Sequence, residues 1–190
     1  MKEDNEFTVR VICSENDLIS KLKEEGFIEG RSFTLDDYFF VPENLDVNNL
    51  TVREILSKAV IVRYIVKSDK IVKVITVKKK EFNEKGEILK QKAINCDVLD
   101  IDEAKNLLNA MGYSEIMNIK EKDVVYSKDN FELAIKYIKN GSILIEIETD
   151  SKYDTIEKLK NKVEELKLPI EKDTYFVKKA EEELSKILKR

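Results

Sequence analysis

The sequence predicts a single-domain α+β protein spanning residues 1–190, with about eight antiparallel strands, two inserted helices and a helical C-terminus. Three observations support this prediction. Many segments alternate apolar and polar residues with period two, which is typical of strands with one buried face. Two segments with helical spacing interrupt these strands, and two more follow them. The chain has only two prolines and five glycines, and no Ser/Gly/Pro-rich linker divides it.

Runs of β-branched and apolar residues predict the strands, because such side chains fit a pleated, half-buried surface. The turn at residues 83–86 (NEKG) is typical of a hairpin between two of these strands. The strands are expected at residues 6–12, 27–41, 59–66, 70–81, 87–98, 116–126, 131–138 and 143–149.

Capping residues and apolar spacing predict the helices. Ser14 and Thr51 are candidate N-caps, and Gly26 and Gly112 each follow the end of a helix. An aromatic residue and then a strand follow each of these glycines, which indicates a weak internal repeat. The two inserted helices are expected at residues 15–25 and 102–111, and the C-terminal helices at residues 154–167 and 174–188. Residues 51–58 are expected to form a further short helix.

Composition excludes several functional classes. The chain contains no histidine, which removes imidazole acid/base chemistry, Ser-His-Asp triads and histidine metal sites. The formal charge of −4 argues against general nucleic-acid binding, although a local basic pocket is compatible with it. Cys13 and Cys96 fit no zinc or redox spacing and are expected to be reduced.

No targeting or membrane segment is expected. No apolar run approaches the length of about 18 residues that a membrane helix needs, and the N-terminal residues MKEDNEF do not form a signal peptide. We therefore expect a soluble, cytoplasmic protein without membrane contact. The C-terminal helices could pack on a second copy of the chain to form a homodimer.

Charged residues make up 38% of the chain, against a usual share of about 25%, and many of them fall inside predicted strands. An open sheet would turn these charges to water, whereas a closed barrel would turn them inward around a tunnel. In a tunnel, Lys and Arg would bind phosphate oxygens and carboxylates would hold Mg²⁺ or Mn²⁺. The residues alone leave both arrangements open.

The order and spacing of several short motifs resemble the CYTH superfamily, which covers class IV adenylate cyclase-like proteins, thiamine triphosphatases and other triphosphate tunnel metalloenzymes. The resemblance spans residues 6–184, and no single motif is diagnostic. Helices that end in Gly-aromatic, at residues 26–27 and 112–113, belong to the same pattern. The strand motifs are residues 6–10 (EFTVR), 36–39 (DDYF), 60–63 (VIVR), 76–78 (TVK) and 146–148 (EIE).

The resemblance implies an eight-stranded antiparallel β-barrel with helices packed outside, whose tunnel binds a triphosphate or polyphosphate. It also implies a divalent cation, Mg²⁺ or Mn²⁺, held by acidic residues of the first and last strands. The implied metal ligands are Glu6, Glu146 and Glu148. The implied phosphate ligands are Arg10, Arg63, Lys78, Lys90, Lys92, Lys120 and Lys122, with the register of the last two ambiguous.

The sequence also departs from the family pattern. Thr8 and Lys136 stand where the family carries acidic residues, and Ile61 replaces an arginine. The strand that carries an R-x-E pair in the family reads KQK at residues 90–92, without an acid. Losing acids while keeping bases weakens metal binding more than anion binding. Two functions therefore stay open. One is a metal-dependent triphosphatase or class IV adenylate cyclase-like enzyme, and the other is a catalytically degenerate nucleotide- or polyphosphate-binding module.

Overall fold

The computed structural model describes residues 6–82, 84, 88–148, 156–175 and 178–190. The predicted turn at residues 83–86 lies largely outside the described residues, as do residues 149, 154–155 and 176–177 of the other predicted elements. Among the described residues, no helix combines the length and the apolar character needed to cross a membrane.

The described residues form nine strands and five helices. The helices are α1 Glu15–Glu24, α2 Val52–Ser57, α3 Ile101–Ala110, α4 Ile156–Glu165 and α5 Lys179–Leu188. The strands are β1 Glu6–Val11, β2 Ile28–Pro42, β3 Val60–Lys67, β4 Ile71–Phe82, β5 Ile88–Asp97, β6 Tyr113–Lys128, β7 Phe131–Ile138, β8 Ile143–Glu148 and β9 Ile170–Tyr175.

The strands form one sheet in the order β5-β4-β3-β2-β6-β7-β8-β1-β9. The α+β class is therefore confirmed, with nine strands in place of the predicted eight. Within the described part of the chain, hydrogen bonds do not close the sheet, because β5 and β9 end it without pairing with each other. The closed barrel stays a prediction.

The ninth strand was not predicted. A helix was expected from residue 174, but β9 occupies Ile170–Tyr175 and α5 begins only at Lys179. β9 pairs with β1, where Val11 lies opposite Ile170, and the Ile12 amide donates to the Pro169 carbonyl at 2.9 Å. This pairing gives backbone groups of β1 hydrogen-bond partners along the second edge of the strand. Apolar spacing within residues 174–188 could not indicate such a pairing.

The chain divides into two compact units. The first consists of Met1–Ser32, Phe82–Lys90 and Lys122–Val177, and the second of Phe33–Glu81, Gln91–Glu121 and Lys178–Arg190. In the first unit, Phe7 and Val9 of β1 share an apolar core with Leu22 of α1 and with Leu159 and Val163 of α4. The core of the second unit is centred on Phe40, Val62, Ala104 and Leu108. Whether the chain is one domain stays a prediction.

Local capping explains where α1 begins and where α1 and α3 end. The Ser14 side chain accepts from the Asp17 amide at 3.2 Å, as its predicted N-cap role requires. Gly26 and Gly112 have φ angles of +83° and +79°, a left-handed conformation that ends a helix with little strain only at glycine. Both glycines lead into long strands, so the predicted helix–Gly–aromatic–strand repeat is present in the backbone.

Candidate functional site

The second unit contains a group of buried charges that we call the Asp37 cluster, formed by Asp37, Arg63, Glu121 and Lys179. Asp37 of β2 lies directly opposite Arg63 of β3 in the antiparallel register. The Asp37 side chain is 1% exposed, and Arg63 donates to both of its oxygens, from Nε at 2.6 Å and from Nη2 at 2.7 Å. Such a two-point contact fixes the plane of the guanidinium as well as its position.

Lys179, in the first turn of α5, brings a second cation to this cluster. Its Nζ lies 2.8 Å from Oε1 of Glu121 and 3.9 Å from Oδ2 of Asp37. Glu121 is 5% exposed on β6. Buried carboxylates are stable in the ionised form only when cations or hydrogen bonds compensate for lost hydration, and here Arg63 and Lys179 provide that compensation.

The pKa of Asp37 reflects this balance. Burial acts to raise the pKa of the carboxyl, but the hydrogen bonds and charge of Arg63, aided by the charges of Lys179 and Lys78, hold it below its ordinary value. Asp37 is therefore a permanent anion at neutral pH. Its electrostatic environment also identifies Lys78 of β4 as a third basic group near the cluster.

The first unit contains a second group, the Lys136 cluster, formed by Lys136, Asp123 and Glu146 on three successive strands of the sheet. Lys136 Nζ lies 2.8 Å from Oδ2 of Asp123 and 3.2 Å from Oε1 of Glu146. The side chains of Lys136 and Asp123 are 11% and 2% exposed. Across the β1–β8 pair, Glu146 faces the buried Thr8. One ammonium group thus bridges two carboxylates.

The predicted metal ligands lie on neighbouring strands. Glu6 is opposite Glu148 in the β1–β8 register, and Glu146 follows on the same face. Glu146 belongs to the Lys136 cluster, whereas Glu148 is exposed. The Glu6 side chain lies outside the described side chains. The metal-binding role of all three stays a prediction.

The predicted phosphate ligands are dispersed. Arg63 belongs to the Asp37 cluster and Lys78 lies near it, while Arg10 donates to Glu171 Oε2 at 2.9 Å in the first unit. The Lys90 side chain lies outside the described side chains, and Lys92 is exposed. Lys120 and Lys122 are both exposed on β6, and Lys120 contacts Asp36 at 3.2 Å. Phosphate binding by these residues stays a prediction.

The described carboxylates do not fit a divalent cation in their present arrangement. Mg²⁺ and Mn²⁺ prefer several oxygen ligands and tolerate no cation among them. Glu146, the predicted ligand whose contacts are described, already holds the ammonium of Lys136. In the part of the chain that the structure describes, no three Asp, Glu, Cys or His side chains converge in a way that could hold a metal.

Comparison with known proteins identifies the fold. No family model matches the sequence, and no curated protein does. The PH1819 protein from Pyrococcus horikoshii OT3 is 17% identical with a TM-score of 0.65, over 90% of this chain and 94% of that chain. HpAC1 from Hippeastrum, described as a putative adenylyl cyclase with a dominant triphosphatase activity, is 15% identical with a TM-score of 0.61, over 91% of each chain. A putative adenylate cyclase from Vibrio parahaemolyticus is 14% identical with a TM-score of 0.56, over 100% of this chain and 99% of that chain.

The chain shares the fold of these three structures. At such low identity, similarity over nine-tenths or more of each chain demonstrates a common architecture, which is the level at which the predicted resemblance is confirmed. A shared fold does not by itself transfer an activity, because the same architecture can carry different sites.

Five residues of the two clusters were not among the predicted site residues: Asp37, Glu121, Asp123, Lys136 and Lys179. The sequence of β6 explains part of this omission. Lys120, Glu121, Lys122 and Asp123 are all charged, so alternation cannot indicate which pair faces inward. In the structure the acidic pair, Glu121 and Asp123, is buried, and the basic pair, Lys120 and Lys122, is exposed. Lys136 was recognisable only as a base at a position where the family carries an acid.

Proposed function

We propose that the protein binds a triphosphate or polyphosphate anion through basic side chains of the second unit, without turning it over. The Asp37 cluster carries this proposal, because Arg63 is held in a fixed orientation with two further basic groups near the same carboxylate. A fixed guanidinium beside lysine ammonium groups is an arrangement suited to phosphate oxygens.

The class of anion is inferred from three observations. The Arg63 side chain is 20% exposed even though Asp37 is buried, so part of this side chain reaches solvent. The similarity to HpAC1, described by a dominant triphosphatase activity, favours a triphosphate over other anions. The net charge of −4 favours a small anion in a local basic site over nucleic acid.

A metal-dependent triphosphatase or adenylate cyclase-like activity is the second candidate. The β1–β8 register favours it, because Glu6, Glu146 and Glu148 share one face of two neighbouring strands. The contact between Lys136 and Glu146 and the presence of Thr8 beside Glu146 argue for the binding function instead. A cation bound to these glutamates would supply charge neutralisation of the phosphoryl groups.

Calorimetric titration with tripolyphosphate, ATP and thiamine triphosphate, with EDTA or with Mn²⁺, tests the proposal. We expect binding in EDTA and no release of phosphate, pyrophosphate or cyclic AMP. Arg63→Ala should weaken binding by about 1.5–3 kcal/mol, which is roughly 10- to 150-fold in Kd. Arg31→Ala is the matched control. Among the described contacts, the Arg31 side chain, which is 67% exposed, forms an ion pair only with Glu132 on the surface.

The outcomes separate the candidates. Metal-dependent product release would establish the enzyme and refute the binding module. Absence of binding to all three anions, with or without Mn²⁺, would refute both. Equal losses of affinity in Arg63→Ala and Arg31→Ala would show that the effect is one of overall charge and not of the Asp37 cluster.

A further inference from the structure

The sheet face that carries the Asp37 cluster changes character within one step along the strands β2, β3 and β4. Asp37 lies opposite Arg63, and Arg63 lies opposite Val74, so these side chains stand in one row across the sheet. All residues of this part of the face belong to the second unit. The next row on the same face, which we call the Phe39 row, consists of Phe39, Ile61 and Thr76.

The Phe39 row is almost closed to water. Its three residues are 4%, 5% and 2% exposed, and Val41, the next residue of β2 on this face, is 2% exposed. The side chains of Arg63 and Lys179, in contrast, are 20% and 18% exposed. A phosphate group is larger than a water molecule, so a phosphate chain cannot run along a row that water barely reaches. The face is therefore a dead end on this side of the Asp37 cluster.

We propose that the Asp37 cluster is a blind-ended site that receives the free terminal phosphoryl group of a phosphate chain and does not bind the interior of the chain. A terminal phosphoryl group ends the chain, so no part of the ligand has to pass the Phe39 row. It also carries a charge of about −1.5 to −2 at neutral pH and three strong acceptor oxygens. An internal phosphoryl group is bonded to the chain on both sides and carries a single negative charge.

The basic groups of the cluster suit a compact, doubly charged group. Arg63 is held by its two-point contact with Asp37, and Nζ of Lys179 lies 3.9 Å from the same carboxylate. Lys78 follows Thr76 on the same face of β4, and its charge also acts on Asp37. Because all three cations act on one carboxylate, their positive charge is concentrated and not spread along a line. The inference rests on the proposed function, because it specifies which anions the same basic groups bind.

Calorimetric titration of the full-length protein in EDTA tests the inference with two pairs of anions. Tripolyphosphate has free ends, whereas cyclic trimetaphosphate has none. ATP has one free end, whereas diadenosine pentaphosphate has none although it carries more phosphoryl groups, so charge alone would favour it. We expect tripolyphosphate and ATP to bind at least tenfold more tightly than their partners without a free end.

Two variants assign this preference to the Asp37 cluster. Arg63→Ala should remove most of the preference for free ends, and the exposed control Arg31→Ala should retain it. If Arg63→Ala does not fold, Arg63→Lys takes its place, because it keeps the charge and loses the two-point contact. Arg63→Lys should then bind tripolyphosphate more weakly than Arg31→Lys does.

The outcomes separate this inference from the proposed function. Equal binding of anions with and without free ends, weakened in Arg63→Ala, would overturn the blind-ended site and leave the proposed function standing. A preference for free ends that Arg63→Ala or Arg63→Lys leaves unchanged would place the site elsewhere and would also overturn the inference. Absence of binding by all four anions would refute the proposed function and this inference together.

Discussion

Replacing Arg63 by alanine removes both described hydrogen bonds between its guanidinium and the Asp37 carboxylate, which is 1% exposed. Removing one partner of a buried ion pair costs about 3–5 kcal/mol, mainly because the remaining charge loses its compensation. Lys179, whose Nζ lies 3.9 Å from Asp37, and the nearby Lys78 retain part of that compensation. We therefore expect the lower end, about 3 kcal/mol, which corresponds to a fall of about 6–12 °C in the unfolding midpoint for a chain of this size.

The loss of stability in Arg63→Ala should depend on pH in a definite direction. The pKa of Asp37 is lowered in the folded protein, so its ionised form contributes stability above the unfolded pKa of about 3.9, and that contribution is lost as the pH falls through the lowered value. In Arg63→Ala the effect of burial, the largest influence, raises the pKa of Asp37. The stability deficit of Arg63→Ala should therefore be full at pH 7 and shrink on acidification.

Thermal and urea unfolding between pH 3 and pH 8 measure both effects. The double variant Arg63→Ala/Asp37→Asn should recover much of the loss at pH 7, because position 37 then carries no buried charge that lacks its arginine. Arg31→Ala should change stability by no more than about 0.5 kcal/mol, as expected for an exposed ion pair. An Arg63→Ala protein as stable as Arg31→Ala at pH 7, or a deficit that grows on acidification, would refute the electrostatic account of the cluster.

Three further predictions concern single positions. Thr51→Ala removes the N-cap of α2, whose side chain accepts from the Glu54 amide at 3.2 Å, and should lower the free energy of unfolding in urea by about 1 kcal/mol. Gly112→Ala should cost about 1–2 kcal/mol in the same assay, because φ is +79° and the added Cβ meets no atom within 4 Å, so backbone strain alone acts. Burial and the hydrogen bond to Asp36 raise the pKa of Tyr38 to about 12, so in an absorbance titration at 295 nm Tyr38→Phe should remove a phenol that ionises near pH 12 and not near pH 10.

Much of the secondary structure could be predicted because it depends on local patterns. Thr51 was predicted as a cap and forms a complete capping box with Glu54, a contact between residues three apart. Period-two alternation likewise assigned the faces of β1 and β8, and the register places Glu6 opposite Glu148. β9 escaped prediction because its strand character depends on pairing with β1, about 160 residues earlier in the chain.

The candidate site was less predictable. The family resemblance implied Arg63 and Glu146 as candidates, but the sequence could not supply their partners Asp37 and Lys136. Ion pairs form between side chains brought together by the sheet, and no periodicity within one strand specifies which opposite charge will lie across from it. The ion pair between Lys179 and Glu121 joins a helix to a strand, and the sequence could not predict it either.

The sequence by itself determined most of the strands and helices, where capped helices begin, and that no histidine chemistry is available. The tertiary structure decided which face of β6 is buried and which carboxylates are already neutralised. The physical reason is that local structure follows from steric preference and hydrogen bonds between near neighbours. Whether a buried carboxylate is neutralised depends instead on cations from distant parts of the chain, here Lys136 and Lys179.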